Sequence, residues 1–142
     1  RSHFLKNLKM SYYPNDCHEC GKPIRGEWES QIALAIETGE IEDKPSHRLF
    51  IYDKHIRCSP SRSQRIVHPR FPTVIDDRPQ FDWRPEANNH WTDEMRSHWK
   101  KVYTEAWERL QLRSNPKWEN QRRMEKHNRF RAVATTDQDD RI

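Results

Sequence analysis

The clearest pattern of apolar positions lies in residues 91–110, where large apolar side chains recur at intervals of four and three residues. This spacing places them on one face of an α-helix. Thr92 is a suitable N-cap, and Asp93 and Glu94 suit the positive end of the helix dipole. We therefore predict an amphipathic helix that ends near Ser114-Asn115-Pro116. Its apolar positions are Trp91, Met95, Trp99, Val102, Tyr103, Ala106, Trp107 and Leu110.

Two shorter segments show a different pattern. In residues 30–38 (SQIALAIET), Ile32, Leu34 and Ile36 alternate with small or polar neighbours, which favours a strand. Residues 48–53 (RLFIYD) are rich in aromatic and branched side chains, which also favours a strand. We predict that the two segments pair in an antiparallel hairpin.

The composition leaves little material for a large core. Of the 142 residues, 32% are hydrophobic and 34% are charged, and the mean hydropathy is −1.26. Such a chain usually needs a disulfide, a metal or a partner to offset the entropy that is lost on folding. Aromatic residues make up 11% of the chain, more than is typical of a fully disordered sequence. We therefore expect a small N-terminal head that a cross-link or metal stabilises, followed by a helical region, and a substantial unstructured fraction.

The cysteines supply a candidate staple. All three lie in two short half-sites, Cys17-x-x-Cys20 and His55-x-x-Cys58. Thiolate and imidazole are ligands that tetrahedral zinc prefers, and a two-residue gap lets one turn present two of them. We predict that Cys17, Cys20, His55 and Cys58 bind one structural Zn²⁺, because four protein ligands leave no open position. Three other histidines are close enough in sequence to replace His55, namely His18, His47 and His68.

These patterns together predict an α+β fold, in which a zinc-stapled β-hairpin finger precedes an extended Pro-rich segment and one or two amphipathic or basic helices. The predicted parts are an N-terminal arm (1–14), the finger (15–72), the Pro-rich segment (73–90), the helical region (91–131) and a disordered tail (132–142). Phe71, Phe81 and Trp83 are candidates for pinning the Pro-rich segment to the surface.

The odd number of cysteines argues against a disulfide framework and favours an intracellular, reducing compartment. No apolar run is long enough to span a bilayer, so we expect no membrane partner, and no signal-peptide pattern opens the sequence. Because the sequence starts at Arg1 instead of methionine, we expect that a preceding piece was removed or left out.

Positive charge is concentrated near the second half-site. The net charge is +4, and residues 59–73 contain three arginines and no acidic residue. An extended basic strip beside a zinc site suits contacts to a phosphate backbone, whereas a solvated Pro-punctuated linker is the simpler alternative. The candidate nucleic-acid contacts are Lys22, Arg25, Arg57, Arg62, Arg65 and Arg70.

The first sixty or so residues resemble the zinc finger of the poly(ADP-ribose) polymerase type, which is also found at the front of a nuclear DNA ligase. The resemblance rests on Cys17-His-Glu-Cys20, Ile24, Gln31-Ile32-Ala33-Leu34, Phe50-Ile51-Tyr52, His55-x-x-Cys58 and Ile66-Val67-His68-Pro69. It implies a zinc scaffold and binding to DNA strand breaks through backbone phosphates and exposed base ends.

The chain departs from that family where the family contacts DNA. Ser30 and Gln31 stand where the family has a basic residue, and the loop 37–43 is acidic where the family's is apolar. We therefore expect the zinc scaffold to transfer without the recognition of breaks.

Other patterns admit catalytic interpretations. His90, Glu94 and His98 share a helical face, and Asp76, Asp77 and Asp82 are carboxylates of the kind that a metal-dependent nuclease uses. Surface exposure and turn formation explain these residues more simply. No nucleophile or phosphate-binding glycine loop accompanies them.

We therefore expect a non-enzymatic, zinc-dependent nucleic-acid-binding protein, with DNA favoured over RNA. The alternative is a zinc-stapled structural subunit of a larger protein or ribonucleoprotein assembly. In either case we expect the helix with Trp91, Trp99 and Trp107 to pack, in the chain itself or against a protein partner, although bases could also stack on these rings.

Overall fold

The first regular elements of the chain surround the first cysteine pair. The computed structural model describes residues 12–50, 52–87 and 90–118. Strands β1 (Asn15–Asp16) and β2 (Pro23–Ile24) pair antiparallel, with Asn15 opposite Ile24. A 3₁₀ turn (Glu27–Glu29) leads from β2 into helix α1 (Gln31–Glu37).

The remaining elements are helical. Helix α2 (Pro45–Phe50) precedes the second half-site, whose residues Ile56–Cys58 form a second 3₁₀ turn. Helix α3 (Pro60–Ser63) follows, and helix α4 (Asp93–Ser114) ends four residues before the last described residue, Trp118. The α+β class with a hairpin near the N-terminus is therefore confirmed. No helix in the described part of the chain is long and apolar enough to cross a membrane.

The strand predicted for residues 30–38 is wrong, because this segment forms helix α1. Ser30 is its N-cap, and the Ser30 hydroxyl accepts a hydrogen bond from the Ala33 amide at 3.1 Å. The sequence alternates in side-chain size but not in polarity, since residues 32–35 are all apolar and all buried. A short apolar run of this kind suits a buried helix as well as a strand.

The strand predicted for residues 48–53 is also wrong, since residues 48–50 end helix α2. Pro45 occupies the first turn, where its missing N–H costs no hydrogen bond. Arg48 donates hydrogen bonds to Asp43 at 2.9 Å and to Glu27 at 3.1 Å. The hairpin in the structure is therefore the β1–β2 pair and not the pair predicted from the sequence. Residue 51 lies outside the described residues.

Helix α4 follows the prediction closely. The Thr92 hydroxyl accepts a hydrogen bond from the Met95 amide at 3.1 Å, and the helix ends at Ser114. It packs on α1 and on the Glu27–Glu29 turn, and its buried face completes the core. The core residues are Ala33, Leu34, Ile56, Ile66, Phe71, Tyr103, Ala106, Trp107, Leu110 and Trp118.

The tryptophans of the predicted helical stripe pack within the chain. Trp107 is 5% exposed and contacts Phe71 and Trp118, with ring centroids 5.4 Å apart in both pairs. Trp99 packs edge-on against Tyr103 at 5.9 Å. Trp107 is thus a core residue, although the sequence left open whether the stripe packs internally or on a partner.

The Pro-rich segment is fixed by two copies of one short motif, Asp-x-Arg-Pro, which begin at Asp76 and Asp82. In each copy the buried carboxylate accepts hydrogen bonds from the backbone amide and the guanidinium of the arginine two residues later. The Gln64 amide bonds the backbone of Phe81 and Trp83, which secures the second copy. Asp76 and Asp82 therefore form turns, the simpler of the two interpretations.

Residues 59–73 were expected to be extended, but they are not. Pro60–Ser63 form helix α3, and the backbones of His68 and Phe71 pair in an isolated antiparallel β-bridge. The basic segment after residue 118, the tail 132–142 and most of the arm 1–14 lie outside the described residues.

Candidate metal centre

The first cysteine pair lies in a tight turn between β1 and β2. The Cys17 amide donates a hydrogen bond to the Lys22 carbonyl, and the Gly21 amide donates one to the Cys17 carbonyl, both at 2.9 Å. Gly21 has φ 76°, a left-handed conformation that glycine adopts without a steric cost. The turn thereby presents both thiols on one side.

The second half-site is attached directly to this turn and to helix α1. The His18 amide donates to the Asp53 carbonyl at 2.9 Å, and the Gln31 amide donates to the Lys54 carbonyl at 2.9 Å. The 3₁₀ turn after His55 then brings the Cys58 side chain back towards the imidazole. Backbone hydrogen bonds therefore join two half-sites that are far apart in sequence.

The four predicted ligands converge on one point. The ligand atoms of Cys17, Cys20, His55 and Cys58 all lie within 4.8 Å of one another. The His55 Nδ1 atom is 3.3 Å from the Cys20 sulfur and 3.8 Å from the Cys58 sulfur. A tetrahedral zinc ion would separate such a nitrogen and sulfur by about 3.6 Å, given its usual bond lengths. The cluster is close enough to bind one metal ion.

The far side of the His55 ring is also bonded. Its Nε2 atom lies 3.0 Å from the Pro23 carbonyl oxygen and 3.0 Å from a Glu29 carboxylate oxygen. The other Glu29 oxygen accepts a hydrogen bond from Arg25 at 3.0 Å. Metal-binding histidines usually donate their second N–H in this way, which fixes the ring and raises its basicity.

The thiols differ in their readiness to ionise. Burial would raise the pKa of Cys17, but hydrogen bonds from the amides of Cys20, His55 and Glu19 outweigh it and lower the pKa to about 6. Burial, together with the neighbouring thiols, raises the pKa of Cys58 to about 12. Several thiolates this close repel one another, and a bound cation removes that repulsion.

The other histidines do not join the cluster. His18 stacks on Tyr52, and His47 bonds the Glu42 carbonyl at 2.7 Å. His68 packs against the rings of both Trp107 and Trp118. Among residues 12–50, 52–87 and 90–118, the Cys17–Cys58 cluster is the only group of three or more potential ligand side chains that meets in this way, so His90, Glu94 and His98 form no second one.

A groove of about 790 Å³ borders the cluster and brings together four of the six predicted nucleic-acid contacts. We call it the basic groove, after Lys22, Arg25, Arg57 and Arg70. Its aromatic lining residues are Trp28, Phe71, Trp107 and Trp118.

One wall of the groove depends on Gly26. A Cβ atom at this position would lie 2.0 Å from the Trp28 ring, so only glycine lets the indole pack directly on the backbone. The carbonyl of Trp28 in turn accepts a hydrogen bond from Gln111 of α4 at 2.8 Å.

The other two predicted contacts lie outside the groove. Arg62 forms an ion pair with Glu40 at 3.6 Å. The Arg65 guanidinium lies over three rings, those of Trp91, Trp99 and Tyr103, at 5.0 to 5.3 Å from their centroids. Such cation–π contacts tie the segment after α3 to helix α4.

Three residues that support the centre were not predicted from the sequence, namely Glu29, Ser30 and Asp53. The role of Ser30 was predictable from the sequence, because a serine directly before an apolar run is typical of a helix N-cap. Asp53 is 6% exposed and accepts hydrogen bonds from the Ser30 hydroxyl at 2.6 Å and the Ile32 amide at 3.1 Å. No local pattern indicated the roles of Asp53 and Glu29, because the groups that they support, helix α1 and His55, are distant from them in sequence.

Comparison with models of protein families, with curated proteins and with solved structures finds no match for this chain. The resemblance to the poly(ADP-ribose) polymerase-type finger therefore stays a prediction from its motifs.

Proposed function

We propose that this protein is a non-enzymatic, zinc-dependent nucleic-acid-binding protein. The observation that carries the proposal is the position of the basic groove directly beside the Cys17–Cys58 cluster. The metal would fix the shape of the groove wall, and the groove would contact phosphate.

The donor set supports zinc as the metal. Three thiols and one imidazole are soft and borderline ligands, which exclude the harder Mg²⁺ and Ca²⁺ and suit a tetrahedral Zn²⁺. Four protein ligands leave no position for water or substrate, so the ion would stabilise the fold and not catalyse a reaction. Three cysteines that bind metal instead of forming disulfides favour an intracellular, reducing compartment.

The charges of the groove support a polyanionic ligand. Lys22 and Arg57 are exposed, and neither forms an ion pair with any residue that the structure describes. Arg25 shares its charge with Glu29, and the Arg70 guanidinium lies 4.2 Å from the centroid of the Trp118 ring. Lysine and arginine in such a groove bind backbone phosphates without reading the sequence. We favour DNA because of the resemblance noted above.

The test is binding of fluorescent DNA to the zinc-loaded chain across a range of salt concentrations. We expect the double variant Lys22→Ala/Arg57→Ala to bind more weakly than the wild type and to show a shallower salt dependence. Loss of two phosphate contacts should reduce the slope of log K against log salt by about 1.4 for single strands and about 1.8 for duplex.

The matched control is Lys100→Ala/Lys101→Ala. Both lysines are exposed on α4 and do not line the groove, and the change in net charge is the same. Equal losses in the two double variants would contradict a specific role for the groove. One bound zinc with negligible nucleic-acid binding would overturn the proposal in favour of the structural-subunit alternative.

A further inference from the structure

An exposed pair of stacked rings lies at the tip of the turn that contains the first cysteine pair. The rings of His18 and Tyr52 are 4.5 Å apart and nearly parallel, with an interplanar angle of 12°. Tyr52 is 77% exposed, although a large ring gains free energy when it is buried. Because His18 covers one face of the ring, most of the exposed area belongs to its other face and its edge.

The backbone around both rings is fixed. The His18 amide bonds the carbonyl of Asp53, which directly follows Tyr52, at 2.9 Å. The Asp53 carboxylate accepts hydrogen bonds from Ser30, Ile32 and Lys54 at 2.6 to 3.1 Å. On the other side of His18 lies Cys17, a member of the metal-ligand cluster. The backbone that carries His18 and leads out of Tyr52 is thus held in place before any ligand arrives, which lowers the entropy cost of binding.

The pair lies close to the cations of the basic groove. His18 and Lys22 are four residues apart, so their Cα atoms are separated by no more than about 14 Å. The hydrogen bonds within the turn shorten that distance further. A ligand on Tyr52 would therefore extend to positive charge within a few nucleotide lengths.

We infer that Tyr52, backed by His18, is a stacking site for an unpaired nucleobase, so that the preferred ligand is a single strand. This inference rests on the proposed function. Base-stacking on an exposed aromatic face needs a base whose own face is free, and within a duplex, except at its two end pairs, both faces are covered by neighbouring base pairs. Every base has such a face, so the site accepts strands of different sequence.

The experiment compares the binding of a single-stranded oligothymidine and of a duplex of the same length, each labelled with fluorescein, to zinc-loaded protein. We expect Tyr52→Ala to weaken binding of the single strand about 5- to 150-fold, the effect of losing one stacked base, and to leave duplex binding unchanged. Tyr52→Phe keeps the ring and should bind as the wild type does. Phe81→Ala, which removes another exposed ring, is the matched control.

A second variant and a second readout distinguish the loss of base-stacking from the loss of protein structure. Tyr52→Leu keeps apolar bulk but has no aromatic face, and it should behave as Tyr52→Ala while still binding one zinc. A strand that contains 2-aminopurine should lose fluorescence on binding the wild type and Tyr52→Phe, and retain it with Tyr52→Leu.

The outcomes separate this inference from the proposed function. Equal binding of the single strand by the wild type, Tyr52→Ala and Tyr52→Leu, with weaker binding by Lys22→Ala/Arg57→Ala, would overturn the stacking site and leave the proposed function intact. No binding of either nucleic acid by the wild type would overturn both.

Discussion

At the scale of single residues, Glu29 connects the metal-ligand cluster to the basic groove. One carboxylate oxygen contacts the His55 ring and the other accepts a hydrogen bond from Arg25, each at 3.0 Å. The carboxylate therefore orients a ligand of the metal and a cation of the groove at the same time. Its side chain is only 17% exposed, so water competes weakly for these contacts.

Replacing this carboxylate should weaken metal binding without abolishing it. We expect Glu29→Gln to lower zinc affinity about tenfold or more, because a neutral amide supports the imidazole less than a carboxylate does. The measurement is competition for zinc with a coloured chelator. Glu19→Gln is the control, since Glu19 lies between the cluster residues Cys17 and Cys20 but its carboxylate contacts Lys54 instead of the His55 ring. Equal affinities of both variants and the wild type would contradict the role of Glu29.

At the scale of elements, helix α4 is divided between a buried and an exposed face. Leu110 is 0% exposed and belongs to the core, whereas Leu112, two residues later, is 54% exposed. Two leucines of one helix thus differ only in the face on which they lie.

We expect Leu110→Ala to lower the free energy of unfolding by about 2–5 kcal/mol, because it leaves a cavity among packed side chains. Leu112→Ala should change it by no more than about 0.5 kcal/mol, as surface substitutions usually do. Urea denaturation of the zinc-loaded proteins, followed by circular dichroism, measures both. Similar losses in the two variants would contradict the packing of α4 described above.

Helices α1 and α4 are also joined by charge. Glu37 at the end of α1 accepts hydrogen bonds from Arg109 at 2.7 Å and from Arg113 at 2.9 Å. Burial alone would raise the pKa of Glu37, but the hydrogen bonds from the two arginines outweigh it and lower the pKa below its ordinary value of 4.5.

The lowered pKa of Glu37 determines how the stabilising effect of its contact with Arg109 and Arg113 depends on pH. Because the folded state has the lower pKa, the contact contributes its full stability above pH 4.5 and loses it as the pH falls through the lowered pKa. We expect Glu37→Gln to destabilise the protein by about 1 kcal/mol at pH 7, since the arginines are half exposed, and the difference from the wild type to shrink below pH 4.5.

Urea denaturation of both proteins across this pH range measures the difference. Glu105→Gln is the control, because Glu105 is exposed on α4 and has no ion pair within the described residues. A Glu37→Gln difference that persists unchanged in acid would contradict the assignment.

At the scale of the whole molecule, the candidate metal centre and the core are continuous. Ile56 lies between the ligands His55 and Cys58, is 2% exposed and packs in the same core as Leu34 and Trp107. The ligand turn therefore holds one wall of the core. The ligand turns and helix α4 therefore pack around one core.

Loss of the metal should accordingly disturb α4 as well as the head. We expect Cys58→Ser, or removal of zinc by a chelator, to lower the melting temperature. Tryptophan emission should shift to longer wavelength, because Trp107 becomes exposed to water. Metal-binding energy is folding energy in modules of this size. Returning zinc to the chelated wild type should reverse the shift, whereas Cys58→Ser should not respond. A metal-free chain with an unchanged melting temperature and unchanged tryptophan emission would show that bound zinc does not stabilise the fold.

Short-range features of the fold and the site were predictable from the sequence for a physical reason. The cap, first turn and end of α4 follow from the types of neighbouring residues, and so does the meeting of ligands two residues apart. Helix α1 was missed because a run of four apolar residues fits either a helix or a strand. The Ser30 cap, which is local in sequence, stabilises the start of the helix. Asp53, twenty-one residues beyond Ile32, stabilises it further by accepting a hydrogen bond from the Ile32 amide.

The sequence by itself determined the three cysteines of the candidate metal centre and the position, cap and buried face of α4, because residue type and local spacing suffice for these features. The fourth ligand was open among four histidines, and the fold decided it by bringing His55 to the cluster. Only the tertiary structure decided that Glu29 supports His55, that Arg65 packs among three rings, and that four cations share one groove. These arrangements join residues distant along the chain, and which of them meet depends on how α1, α4 and the ligand turns pack around one core.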